Sequence, residues 1–151
     1  DVDVVMITDA DGSGEPENLG KAHDFSLSPD GRYLVAGAKS EETQGDLWFR
    51  ELEGGGEAEL LVATAADEHS GQVSPDGQYI GYVSRRGAVL YDLFADRPNL
   101  LRRTASTSWG ISHWSPSGSH FVISHWDNFT GYDGIYRFTN GVGNKTVLVD
   151  D

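Results

Sequence analysis

His23 and His69 each stand five residues ahead of the serine of a Ser-Pro-Asp-Gly tetrapeptide, in "HDFSLSPDG" and "HSGQVSPDG". Imidazole is the side chain that changes charge near neutral pH and most readily ligates transition metals. Two imidazoles at one repeated position, with Asp24 beside the first, are the residue types that hold a divalent metal or an anion. The plainer reading has both rings hydrogen-bonded in loops or along a tunnel. At the third occurrence of the turn the corresponding residue is Gly110, and His113 follows three residues later. His120 and His125 lie five apart in a strand-like segment, so they face opposite sides of a sheet. No His-x-x-x-His spacing and no pair of carboxylates at ligand spacing occurs.

A second group is aromatic. Trp109, in "STSWGIS", and Trp126, Phe129 and Tyr132, in and beside "DNFTGYDG", are grouped in the last third of the chain. Large rigid rings at one rim can anchor a peptide or a sugar. They can equally form a small core that ties down a long loop.

Other chemistries find less support. There is no Gly-x-Ser-x-Gly elbow for a nucleophilic serine, and the chain has no cysteine. "GSG" and "GGG" sit in strand connections without a following helix and do not cradle phosphate. "DADGSGEPE" has the carboxylates of a calcium loop but lacks the twelve-residue spacing with a terminal Glu, and a turn between strands explains it. Asn128 and Asn144 head glycosylation sequons, which matter only in a eukaryotic secretory setting.

The elements that must position these residues repeat. Ser28, Ser74 and Ser115 head three related turns, 46 and 41 residues apart, the period of a four-stranded propeller blade. Each turn is preceded by a short strand candidate and followed by three more. The first copy reads "DFSLS", "YLVAGA", "DLWFREL", "AELLVAT", and the second "GQVS", "YIGYVS", "AVLYDLF", "NLLRRTA". The third reads "ISHWS", "HFVISHW", "GIYRFT", "KTVLVD". These runs are rich in Val, Ile, Leu, Tyr and Phe, the residues of half-buried strands. Within each turn Pro fixes φ and ends the first strand, Asp bonds the backbone two residues on, and Gly takes a positive φ. The third copy has Ser117 in place of Asp and makes a weaker version of the same bond. Ser-Pro-Asp-Gly is therefore a device of the fold.

The opening stretch "DVDVVMITDADGSGEPENL" has the pattern of the outer two strands of such a unit. The expectation is an all-β chain of about three and a half four-stranded antiparallel blades: a half blade over 1–20, then blades near 21–66, 67–107 and 108–151. The strands of a blade are lettered A to D outward from the axis.

This repeat resembles that of the TolB-like, or WD-repeat-like, β-propellers, approximately W-S-P-D-G-x-x-I-A-F followed by D-I-Y-V-M-D-A-D-G-G. "HWSPSGSHFVIS" and "DVDVVMITDADGSGEPENL" are close matches, and the likeness covers essentially the whole chain. The second strand C, "GAVLYDLF", departs from it by lacking the Asp and shifting the aromatic to Tyr91. The resemblance implies an interaction platform, or the non-catalytic propeller of a prolyl-oligopeptidase-like peptidase. It favours periplasm or secretion over cytoplasm. Closed propellers need about four to eight blades, so the expectation is either a part of a longer protein or a half ring closed by self-association.

The charge of −13 sets limits on partners. Phosphate binding needs clustered Lys and Arg, so nucleic acid is not an expected partner, and anionic membrane surfaces are disfavoured for the same reason. No run approaches the ~18 apolar residues of a membrane span. In a propeller the B–C and D–A connections leave on the face opposite the Ser-Pro turns. The B–C loops are read as 39–45, 85–87 and 127–134, the first and third long enough to carry function. Three readings result. The first is a non-enzymatic module binding a protein or peptide on the loop face, through Trp109, Trp126, Phe129 and Tyr132, with His23 and His69 nearer the axis and no cofactor. The second is the propeller of an enzyme, either a peptidase accessory domain or a polysaccharide lyase using tunnel histidines and a metal. The third is a self-assembling half propeller.

Overall fold

The computed structural model describes residues 3–40, 42–85, 87–103, 112–127, 131–139 and 144–149; for residues 40, 97–103, 112 and 123 onward the description is of the backbone. Among the described residues there are fourteen strands and no helix. Strands β1 (Asp3–Ile7) and β2 (Glu17–Ala22) form a two-stranded sheet. Three four-stranded sheets follow. They are β3 (Asp24–Leu27), β4 (Tyr33–Ser40), β5 (Gln44–Glu51) and β6 (Glu59–Val62); β7 (His69–Val73), β8 (Tyr79–Ser84), β9 (Gly87–Asp92) and β10 (Arg97–Arg103); and β11 (Ser112–Trp114), β12 (His120–Asp127), β13 (Gly131–Thr139) and β14 (Asn144–Val149). Within each four-stranded sheet every strand pairs antiparallel with its neighbour in sequence, so each of these three sheets is a meander with the form of a blade.

The three Ser-Pro hairpins share one bonding scheme. Ser28 Oγ donates to Asp30 Oδ1 at 2.6 Å and accepts the Tyr33 N–H at 2.9 Å, while Asp30 Oδ1 accepts the Arg32 N–H at 3.1 Å. Ser74, Asp76, Gln78 and Tyr79 reproduce these bonds at 2.6, 2.9 and 3.1 Å. Gly31 and Gly77 supply the positive φ, 76° and 71°. In the third turn Ser117 stands for the aspartate, and its bonds to Ser115 Oγ and the Ser119 N–H lengthen to 3.2 and 3.4 Å. A hydroxyl is a weaker acceptor than a carboxylate.

The core sits between the first two complete blades. Val35 and Leu47 of the first are fully buried against Val73, Ile80, Tyr82 and Val89 of the second. Burying such side chains stabilises by about 1.5–3 kcal/mol each. The next seam is built from the Phe121 ring, whose centroid lies 5.0 Å from that of Trp114. Trp114 Nε1 in turn donates to the Gln72 carbonyl at 3.0 Å.

Two loops are shorter than the sequence suggests. The segment 39–45 is not a long loop, because Lys39 pairs with Gly45 and Ser40 with Gln44. Likewise Trp126 pairs with Tyr132 and Asp127 with Gly131, which takes strand structure into the expected loop 127–134. Polar composition marks both segments as loops, but cross-strand backbone bonding does not depend on side-chain polarity. A φ of 83° at Gln44 helps turn the chain in the first.

Candidate functional site at the loop end of the blades

At the inner end of the first seam, a contact between Asp24 and Ser70 brings their chain neighbours His23 and His69 into one neighbourhood. His23 lies between β2 and β3, and its N–H donates to the Gly37 carbonyl at 2.9 Å. Its Nδ1 lies 3.7 Å from Asp24 Oδ1, with both side chains about 30% exposed. Asp24 Oδ2 reaches across to the next blade and accepts the Ser70 N–H at 2.7 Å. His69 Nδ1 lies 3.2 Å from Ser70 Oγ.

Ser70 is the keystone. Its φ is 55°, and the β7–β8 register shifts between His69 and Gln72. The left-handed conformation costs a non-glycine residue roughly 1–2 kcal/mol. Here it accompanies a bulge, and bulges re-aim backbone groups at sheet edges and sites. The result is an inter-blade bond in place of a regular ladder position. One blade further on, Gln72 Nε2 meets His113 Nδ1 at 3.2 Å, so the second inner strand is tied to both of its neighbours. Among the described residues no group of three or more His, Asp or Glu side chains is arranged to hold a metal.

The expected aromatic patch is documented only in part. Trp109 and Phe129 lie outside the described residues. Trp126 and Tyr132 are direct cross-strand partners on β12 and β13, just beyond a register shift between His125 and Trp126. The backbone therefore sets these two positions side by side at the loop end of the third blade.

Sequence reasoning passed over a pair of buried acids. The B–C hairpin and the D–A connection of the first blade meet where the Glu68 N–H donates to the Gly45 carbonyl at 3.0 Å. Asp46 and Glu68 flank that contact and are 5% and 2% exposed. Asp46 Oδ2 accepts the Thr43 hydroxyl at 2.7 Å, and Glu68 Oε1 accepts that of Thr64 at 2.6 Å. The second oxygens, Asp46 Oδ1 and Glu68 Oε2, are buried without a hydrogen-bond partner among the described residues. Burial pushes the Glu68 carboxyl above its ordinary range; the Thr64 bonds oppose this, and the charges of Asp46 and Asp67 add to it. Burial, then the charge of Glu68, also raises the Tyr82 phenol. Such a carboxyl has the chemistry of a proton donor, but Glu68 is closed to solvent and to a substrate. The signal was the Asp of "DLW" and the Glu before "HSG", two charges flanking strands with no visible partner.

No protein-family model and no curated protein matches the sequence. Solved structures do. The chain is similar to TolB from Acinetobacter baumannii (TM-score 0.72, 19% identity, 97% of this chain and 37% of that one). It is also similar to the β-propeller domain of the Trilobed protease from Pyrococcus furiosus, described as having an open velcro topology (0.69, 14%, 99% and 50%). A third similar structure is an oligogalacturonate lyase in complex with manganese (0.64, 15%, 99% and 47%). The chain spans half the length of these relatives or less. At such identities the likeness establishes the fold alone: β-propeller blades forming a partial propeller.

Proposed function

We propose that the chain is a non-enzymatic β-propeller module that binds a protein or peptide on its loop face. The observation that carries this reading is the bond from Ser70 N–H to Asp24 Oδ2. A metal at the tunnel mouth would draw on Asp24 together with His23 and His69. Asp24 instead spends one oxygen on joining two blades, and His69 packs its ring nitrogen against Ser70 Oγ. These contacts support a seam role for the tunnel-end polar groups, and Glu68 is only 2% exposed. What is left for recognition is the loop rim, where Trp126 and Tyr132 are cross-strand partners. A periplasmic or secreted setting accords with the resemblance of the repeat to TolB-like propellers.

The test is selection of a displayed peptide library on the full chain, followed by calorimetry with the enriched peptide. Binding is expected to weaken in Trp126→Ala and Tyr132→Ala and to persist in His23→Ala. Failure to enrich any peptide, or binding indifferent to both rim substitutions, overturns the reading. A manganese titration that gives heat in the intact chain and none in His23→Ala or His69→Ala would replace it with the metal-dependent enzyme.

A further inference from the structure

The repeat makes the chain its own control, because equivalent positions in consecutive blades carry different side chains. Just after the Ser-Pro-Asp-Gly turn the first blade has Arg32 and Tyr33, and the second has Gln78 and Tyr79. Arg32 lies over the Tyr33 ring, its Cζ 5.1 Å from the ring centroid, and its Nη2 donates to Glu51 Oε1 at 3.3 Å. A guanidinium on an aromatic face is attracted by the ring quadrupole. Tyr79 has the same place in the second blade, but the amide of Gln78 brings it no charge.

Beside Tyr79 there is room for one. At the turn end of the seam between the second and third complete blades lies a cavity of about 210 Å³. It is lined by Asp76, Gln78 and Tyr79 of the second blade and by Trp114, Ser117 and Ser119 of the third. Both walls belong to four-stranded sheets. Trp114 is fixed by its bond to the Gln72 carbonyl and by the Phe121 ring. Asp76 accepts the Ser74 hydroxyl and the Gln78 N–H, both on Oδ1, which leaves Oδ2 for a further donor. The two seams differ at this level. In the first, Gly77 backs onto the Tyr33 ring, where a Cβ would fall 3.4 Å from Cε2; in the second, Gly118 backs onto Pro75, 3.5 Å from Cδ.

We infer that this cavity binds an organic cation of the guanidinium class, the head group that the first blade supplies to itself as Arg32. The cation packs on the Tyr79 ring and donates to Asp76 Oδ2, with the Gln78 side-chain oxygen as a further acceptor. A planar guanidinium donates through several N–H groups at once. A metal ion is not the occupant, because among the described residues no group of three or more His, Asp or Glu is arranged to hold one. The net charge of −13 draws cations to the molecule, and the ring beside a carboxylate selects the organic ones. The site is separate from the loop rim: Ser119 precedes one end of β12 and Trp126 stands near the other.

The probe is methylguanidinium, titrated at low salt into the full chain and followed by NMR at the Trp114 indole N–H and the Gln78 and Ser119 amides. Methylurea, a neutral molecule of nearly the same shape, is the control. Saturable shifts at these groups are expected with methylguanidinium and none with methylurea. An end-blocked Gly-Arg-Gly peptide carries the same head group and should move the same signals; if it does not, the ligand is a free small cation rather than a peptide side chain. Asp76→Asn keeps an acceptor for Ser74 and for the Gln78 N–H while removing the charge, and should weaken binding about tenfold or more. Gln78→Arg gives the second blade the guanidinium that the first has, and should abolish binding by filling the cavity from within. The inference is overturned if methylurea shifts the same groups equally, if the methylguanidinium shifts spread over the acidic surface without saturating, or if both substitutions leave binding unchanged.

Discussion

Gly81 of β8 lies flat against the ring of Phe121 of β12: a Cβ at Gly81 would fall 2.3 Å from Cε2 and 2.4 Å from Cζ. A real Cβ cannot come that close to an aromatic carbon, and Phe121 is itself only 2% exposed. The second and third blades are thus held together by a missing side chain. Gly81→Ala should destabilise by about 1–3 kcal/mol through overpacking. Adding Phe121→Leu should recover part of that loss, although Phe121→Leu alone is destabilising. Urea melts of the two single variants and the double variant check this; purely additive effects would contradict the contact.

The weaker third turn offers a gain. Ser117→Asp should shorten the bonds that now measure 3.2 and 3.4 Å and stabilise by about 0.5–1 kcal/mol. The native turns give the pH dependence. The Ser28 hydroxyl, then the Arg32 N–H, hold the Asp30 carboxyl below its usual range. A carboxyl lowered on folding stabilises above its unfolded value, and that contribution fades as pH falls through its folded value. The benefit of Ser117→Asp should accordingly be present at neutral pH and vanish in acid, below the ordinary Asp value of about 3.9. Thermal melts at both pH values decide it.

Glu68 has the opposite sign. Its folded carboxyl is raised, chiefly by burial, so the folded state holds the proton more tightly than the unfolded one. Its contribution is most favourable below the unfolded value of about 4.3 and is lost as pH rises through the folded value. Glu68→Gln keeps an acceptor for Thr64 and removes the charge. The variant should melt higher than the parent near pH 8, with the difference closing toward pH 4. A parent more stable than the variant at pH 8 would refute the assignment.

Asp24 and Ser70 make the inner tie between the first two complete blades. Asp24→Ala should cost about 1–3 kcal/mol, because it leaves the part-buried Ser70 N–H without its acceptor. Asp24→Asn, which retains an amide oxygen, should cost less. Exchange at the Ser70 amide should quicken in the alanine variant; an unchanged rate would mean that the bond does not hold the seam.

Much of this architecture could be read locally. Each Ser-Pro turn is closed by atoms within five residues of its serine, as Ser28, Asp30 and Tyr33 demonstrate. A strand's apolar run likewise carries its own signature. The B–C connections resisted the same treatment. "KSEETQG" is polar enough to look like an open loop, yet Lys39 and Gly45 are ladder partners. Register is a property of two strands at once, and side-chain composition over seven residues does not encode it. The repeat position of His23 and His69 can be read from the sequence, but Ser70, in a left-handed conformation beside His69, has no sequence mark.

The order of strands, the hairpin chemistry and the repeat follow from the amino-acid sequence alone, because each depends on residues close together along the chain. Which side chains are buried at equivalent positions does not. Leu27 and Val73 occupy the same place in their repeats and differ in exposure because a complete blade packs on one and a two-stranded sheet stands before the other. Asp46 and Glu68 are far apart in sequence, and only the meeting of two connections at Gly45 buries them together. Burial depends on what another part of the polypeptide brings to the surface, so only the tertiary structure decides it.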